Sequence, residues 1–499
     1  MGLYTRITRH WLEHRFATRS ATGVYHAHMP IYGFGSADAE GNQVGRLARV
    51  FRILRELDGL SFTSLLDVGG AEGFLPHLVR TLFGAQVTTS DLSHQACRRA
   101  RELFGIAGAA VDSTHLPFRT GAFDVVVCSE VLEHVENPVE TLLELQRVAA
   151  RAVILTTEEL RYDRAEIDAY LFRRPGWPHM ERNLFHPTDL APCLPGARLL
   201  PQMDQPPPKH ETSLAAARTF WLTHTHSEAL APGRIGVIAV DPRDPHCQRA
   251  RRHTDIELLD RLLTTTIAPG SHWPAPPPLD TLLPKLCAPR SLGVLRRDGD
   301  HLVDPAGMRY PVVDEVPDFV RVEDAAPSRA ELERRVAAEP PPRAAALLAL
   351  RDRMHLPDRW PQDAFDFRDP AQRRGFWPND QLLPRTGGEG FAWRAVGGDP
   401  WVVTPCLQRP LRFVEMELRV HAPDTPVAAG TGQVFWKGPD DDAFAEARSV
   451  KFVVPNDGQF HVHRIELADH PLLPAEVQWL RLDPIDGACE VDLRVLRLG

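Results

Sequence analysis

The sequence predicts three kinds of folded segment along one chain: a mostly parallel α/β sheet domain, a small α+β module and an all-β sandwich. Three observations carry this. From about 61 to 245, apolar runs of strand length alternate with stretches of helix spacing, as in a parallel sheet covered by helices. Between 281 and 324, brief strand-like runs are separated by turn residues. From about 386 the apolar period changes from 3.6 to 2, in runs such as Leu411-Arg412-Phe413-Val414-Glu415-Met416-Glu417-Leu418.

The α/β segment opens on Leu65-Leu66-Asp67-Val68-Gly69-Gly70-Ala71-Glu72-Gly73, a buried strand, a turn of small residues and a helix start. Such a turn lets backbone N–H groups and a helix N-terminus approach a nucleotide-type cofactor, where a Cβ would block the way. The next strand, Gln86-Val87-Thr88-Thr89-Ser90-Asp91-Leu92, ends in a carboxylate able to accept from both hydroxyls of a ribose. Asp112 and Ser113 follow a third strand. Ser129-Glu130-Val131-Leu132-Glu133-His134 ends a fourth.

In this order the four stretches resemble the class I S-adenosylmethionine (SAM) dependent methyltransferases, in the small-molecule branch with a Val-Leu-Glu-His segment after the fourth strand. The resemblance implies a Rossmann-like domain with a mostly parallel seven-stranded sheet, and SAM as cofactor. It places Asp67, Gly69, Gly70, Ala71 and Gly73 at the methionine end, Asp91 and Leu92 at the ribose, and Asp112 and Ser113 by the adenine. Ser129 and Glu130 close the site. Ala71 stands where the family has its middle glycine, and Glu72 beside it is unusual. The alternative is a degenerate fold that no longer binds SAM.

His134 sits at the carboxyl edge of the sheet, and an imidazole titrates in the range suited to removing a proton from an acceptor hydroxyl. Its other reading is a structural residue at a helix start. Glu130, Glu133 and His134 also resemble the Glu-x-x-Glu-His cluster of ubiquinone-biosynthesis O-methyltransferases, which can hold a divalent ion. No metal is assigned here, and that ion remains the alternative.

Residues 1–60 read as a helical cap. Within it, Tyr25, His28 and Tyr32 are candidates for contact with the acceptor, or else members of a packed loop. Asn183 and His186, after the fifth strand, are expected to face the acceptor. Residues 246–280 read as a linker, ending in Trp273-Pro274-Ala275-Pro276-Pro277-Pro278. Residues 281–324 resemble the small zinc-binding activator family of methyltransferases through Tyr310-Pro311-Val312-Val313-Asp314-Glu315-Val316-Pro317. Of its ligands only Cys287 remains, and one thiolate cannot hold zinc, so a zinc-free relic is expected, as a prop or a mere spacer.

Residues 325–385 read as a helical linker. Residues 386–499 form the sandwich, which resembles jelly-roll modules of the carbohydrate-binding type. Trp401 and Trp436 could stack on a sugar or fill the core.

A net charge of −9 argues against a nucleic-acid partner. Seven cysteines without a Cys-x-x-Cys pair suit free thiols in a cytoplasmic protein, and no run approaches 18 apolar residues, so no membrane span is expected. The combined reading is a SAM-dependent O-methyltransferase acting on a sugar, a glycan precursor or another small metabolite. Two alternatives stay open: a protein or RNA methyltransferase with its activator in cis, and a non-enzymatic glycan-binding scaffold. The oligomeric state is not written in the sequence.

Overall fold

The computed structural model describes residues 3–157, 183–209, 211–230, 236–321, 324, 327–354, 360, 362–373, 375–404, 409–422, 428–438, 441 and 443–499. The chain divides into two compact units, with the main boundary between residues 355 and 356.

The first unit is built on a seven-stranded sheet of β1 (Ser64–Val68), β2 (Gln86–Asp91), β3 (Ala107–Ala110), β4 (Phe123–Ser129), β5 (Ala149–Thr157), β6 (Arg198–Pro201) and β7 (Val237–Pro242). Their order is β3-β2-β1-β4-β5-β7-β6. The first five run parallel, and β7 is antiparallel to both its neighbours. Both faces of the sheet are covered, which is why its central strands are continuous apolar runs: Leu65, Leu66, Val125 to Cys128 and Val153 to Leu155 are all buried. The strand order reverses between β1 and β4, so the binding crevice lies beyond the carboxyl ends of those strands.

Helices α1 (Leu3–Ala17), α2 (Gln43–Asp58), α3 (Phe74–Phe83), α4 (His94–Phe104) and α5 (Pro138–Val148) cover this sheet. Ser93 starts α4 as its N-cap, its Oγ accepting from the Ala96 N–H. Leu47, Val50, Phe51 and Leu54 of α2 are buried against the sheet side carrying Leu65, Val125 and Val127. The cap predicted over 1–60 is therefore part of the main core.

The segment 246–280 departs from its reading as a linker. It contains the helix Asp255–Thr264, opened by a capping box between Thr254 and Glu257. Leu258, Leu259 and Leu262 enter the same core as α2, and this apolar face is what holds the segment down. Its proline-rich end is also tied, Trp273 donating its N–H to Glu102 O at 2.6 Å.

Residues 281–324 hold β8 (Arg296–Asp298), β9 (His301–Val303), β10 (Arg309–Val313) and β11 (Val316–Pro317), a small antiparallel sheet in the order β11-β10-β9-β8. Asp304 closes a turn: its Oδ1 accepts from the N–H groups of Ala306 (2.9 Å) and Met308 (2.8 Å). Leu286, Leu302, Tyr310 and Phe319 are buried in one core with Phe118, Phe123 and Val126.

The expected helical linker 325–385 is divided differently. Its helices Arg329–Val336 and Pro341–Met354 bury Leu332, Val336, Leu347, Leu350 and Met354 in that same core. Its remainder supplies strands to the second unit, which begins well before 386.

Among the described residues, the strands of the second unit all pair antiparallel. One sheet is centred on Cys489–Leu498, which pairs with Ala364–Asp366, Phe391–Ala395 and Phe413–His421. The other is centred on Trp479–Asp483, paired with Val402–Thr404 and Ala429–Lys437. A ring cluster joins strands of both: Trp360 stands edge-on to Phe365 and donates its indole N–H to Thr404 Oγ1 at 2.9 Å. Trp436 is wholly buried, with its indole N–H on Leu472 O at 3.1 Å, so it is a core residue and not a sugar platform. Trp401 is half-buried beside the Arg481 guanidinium.

Candidate functional site

The turn after β1 is pinned to β2 by two backbone bonds, Gly69 N–H (2.7 Å) and Gly70 N–H (3.0 Å) both reaching Ser90 O. Gly69 has φ +73°, and a Cβ there would overlap Val131 in the turn after β4. At Gly70 a Cβ would overlap Thr89 Oγ1 and crowd Asp67. Ala71 adopts φ +47°, in the left-handed region despite its methyl group. Its N–H donates to Asp91 Oδ2 at 3.0 Å.

Asp91 Oδ1 accepts from the Ser93 N–H at 2.9 Å, so the carboxylate is held between the turn after β1 and the start of α4. Burial pushes its pKa up to about 6, against the lowering by these two N–H groups. Burial, with the charge of Asp91 added, pushes Asp67 up to about 7. Two buried acids thus lie near enough for the charge of Asp91 to raise Asp67. The hydroxyl of Thr89 and Oε2 of Glu72 are also buried with no hydrogen-bond partner among the described residues. This donor set suits SAM, whose sulfonium and ammonium groups bring positive charge and whose ribose and amino groups bring donors.

Of the residues expected at the adenine, Asp112 Oδ1 accepts from Thr114 N–H (2.9 Å) and Oγ1 (2.7 Å), and Ser113 Oγ pairs with Thr141 Oγ1 on α5 at 2.9 Å. Leu92 packs on Ala110 and Val320.

Beyond β4, Ser129 Oγ pairs with Thr156 Oγ1 at 3.0 Å. Glu130 has φ +54°, a strained conformation outside glycine. Its Oε1 accepts from Thr156 Oγ1 (2.9 Å) and Gln202 Nε2 (2.8 Å), and its Oε2 meets Arg49 of α2 at 3.2 Å. Both carboxylate oxygens of Glu130 are thus engaged by Thr156, Gln202 and Arg49. The described residues hold no group of three or more His, Cys, Asp or Glu placed to bind a metal.

His134 lies in the turn that follows, half-buried, its N–H on Val131 O at 2.9 Å. Asn183 is buried and clamps this turn. Its N–H donates to Glu133 O (2.9 Å), and its amide donates to Leu132 O (2.9 Å) and Val135 O (2.7 Å). Asn183 therefore positions the turn through all three bonds. His186 starts the short helix Pro187–Leu190, its carbonyl accepting from the N–H groups of Asp189 and Leu190.

The N-terminal candidates are spread out. Tyr25 donates its hydroxyl to Glu102 Oε2 at 2.8 Å, and Arg19 and Arg99 lie over its ring. His28 Nδ1 stands 3.0 Å from Glu40 Oε2, with Arg46 beside it. Tyr32 is half-buried, and burial pushes its hydroxyl up to about 12. This loop reaches the glycine-rich turn through Met29 N–H on Glu72 Oε1 at 2.6 Å.

Several residues of the site were not singled out from the sequence. Arg49 and Gln202 hold Glu130, and Glu13 of α1 accepts from the His94 (2.7 Å) and Gln95 (3.0 Å) N–H groups beside Asp91. None stands in a motif. Only the N-cap pattern at Ser93 marks the place where Glu13 docks.

Residues 66–156 match the family model of a methyltransferase domain. A malonyl-acyl-carrier-protein O-methyltransferase of Geobacter sulfurreducens is 32% identical over 123 residues, 23% of this chain and 46% of that protein. A ubiquinone biosynthesis O-methyltransferase of Aromatoleum aromaticum is 37% identical over 90 residues, 17% of this chain and 38% of that protein. The chain thus spans less than half the length of these curated relatives.

Among solved structures, phosphoethanolamine N-methyltransferase 1 of Haemonchus contortus with S-adenosylhomocysteine (SAH) is similar at 11% identity and a TM-score of 0.31, over 52% of this chain and 53% of that one. The magnesium protoporphyrin IX methyltransferase of Synechocystis with bound SAH is similar at 17% identity and a TM-score of 0.27, over 40% and 85%. The order of strands, the glycine-rich turn and the family match together make residues 66–156 a methyltransferase domain with S-adenosylmethionine as its cofactor.

Proposed function

We propose that the chain transfers the methyl group of SAM to a hydroxyl of a small acceptor: a sugar, a glycan precursor or another small metabolite. The observation that carries this is His134, held by the Asn183 clamp at the carboxyl end of β4, one turn from the cofactor loop. Its two named relatives above are O-methyltransferases, which agrees with an oxygen acceptor.

Bound SAM supplies an electrophilic methyl group on a sulfonium. The chain supplies position and proton transfer. Gly69 and Gly70 let the backbone come close, Asp91 orients the ribose, and the turn 131–134 sets the distance to the acceptor. His134 takes the hydroxyl proton on a ring nitrogen as the oxygen attacks and S-adenosylhomocysteine leaves. The net charge of −9 disfavours an RNA acceptor.

The test is methyl transfer from labelled SAM to a panel of nucleotide sugars, glycans and phenolic metabolites. His134→Ala is expected to lower kcat by about 100-fold or more with SAM affinity unchanged. An unaltered kcat would remove His134 as the base.

A further inference from the structure

The cofactor site described above is bounded on its adenosine side by parts of the chain remote in sequence. Val320, at the end of the β8 to β11 module, is buried against Leu92 and Ala110. It lies there because the chain beyond β11 extends the main sheet: Asp318 bridges Ala110 in parallel, and the Phe319 N–H donates to Ala110 O at 2.9 Å. Asp112 and Val320 line one small cavity of about 20 Å³, room for a water molecule.

Helix α1 is fastened to both sides of this wall. Its Glu13 accepts from Ser93 Oγ (3.2 Å) and from the His94 and Gln95 N–H groups, on the turn whose Ser93 N–H holds Asp91. One helical turn earlier, Arg9 donates to Val320 O at 2.9 Å and pairs with Asp318. Nearer its start, Thr5 Oγ1 donates to Glu136 Oε2, beyond His134, at 3.0 Å. These fastenings are polar, and each is worth little enough to open and re-form.

We infer that Val320 is the adenine-side wall of the SAM site and that Arg9, paired with Asp318 and the Val320 carbonyl, latches α1 over the bound cofactor. The inference rests on the cofactor reading of Asp91 and Leu92. It makes the middle module a part of the cofactor site, neither a spacer nor a remote prop. Arg9 and Asp318 are positioning residues: they govern how fast the cofactor leaves and touch no reacting atom.

The test is the dissociation rate of SAH from the full-length chain by surface plasmon resonance. Arg9→Ala and Asp318→Ala are each expected to speed dissociation about tenfold, as for loss of one charge-assisted hydrogen bond. The double variant should be no faster than either single one, and the swap Arg9→Asp with Asp318→Arg should slow it again. Hydrogen exchange of the unaltered chain gives a second reading, with SAH slowing exchange in α1 and in 316–320. If dissociation from Arg9→Ala stays within about twofold of the parent while Asp91→Ala weakens SAH binding about 10- to 100-fold, the latch is wrong and the cofactor site stands. If the parent chain binds no SAH, the cofactor reading falls and the latch with it.

Discussion

Asp67 and Asp91 carry opposite demands, since each is buried where an ionised carboxylate is costly and each, in the proposed cofactor site, meets a ligand that needs it ionised. Asp91→Ala should weaken SAM binding about 10- to 100-fold by isothermal titration, the range of a lost hydrogen bond to a charged group. Asp67 has a separate signature in pH. With its folded pKa raised to about 7 from 3.8, its penalty on the fold is absent below about 4, grows as pH rises, and is complete above about 7. Asp67→Asn should therefore raise the melting temperature of the SAM-free protein more at pH 8 than at pH 5, and an equal effect at both would contradict the raised pKa. Both acids are legible in the sequence because each ends, or nearly ends, a strand before a turn. Glu13 is not, because its bonds join residues some 80 positions apart along the chain.

At the level of elements, the turn after β4 is shaped by Asn183, which arrives after β5. Asn183→Ala leaves two carbonyls without their donor, so it should destabilise the first unit by roughly 1–3 kcal/mol in urea unfolding. It should also lower kcat with SAM affinity largely kept. A variant with parental kcat would show that the turn holds its shape alone. From its place after the fifth strand, Asn183 is expected to face the acceptor. Its amide is turned to the backbone instead, a choice made by the unpaired carbonyls of Leu132 and Val135. The same limit applies to 246–280: proline suggests a linker, yet Leu258, Leu259 and Leu262 find a core that only the folded α2 presents.

At the scale of the molecule, no helix among the described residues is long and apolar enough to cross a membrane. The module over 281–324 shares its core with β4 and α5, so it is a structural part of the first unit. Phe319→Ala should cost about 3–5 kcal/mol and lower the transition of that unit, whereas a passive spacer would leave it unmoved. By itself the sequence determined the strand–turn–helix order of the methyltransferase domain, its glycine-rich turn, its acidic strand ends and the change of period towards the C-terminus. These are local signals, written in residue type and spacing over a dozen positions. Only the tertiary structure decided that α1 lies beside Asp91, that Glu130 is held by Arg49, that Trp436 is buried and that Val320 meets Leu92. Each of these depends on surfaces brought together from distant parts of the chain, and an apolar or charged side chain carries no mark of which surface it will meet.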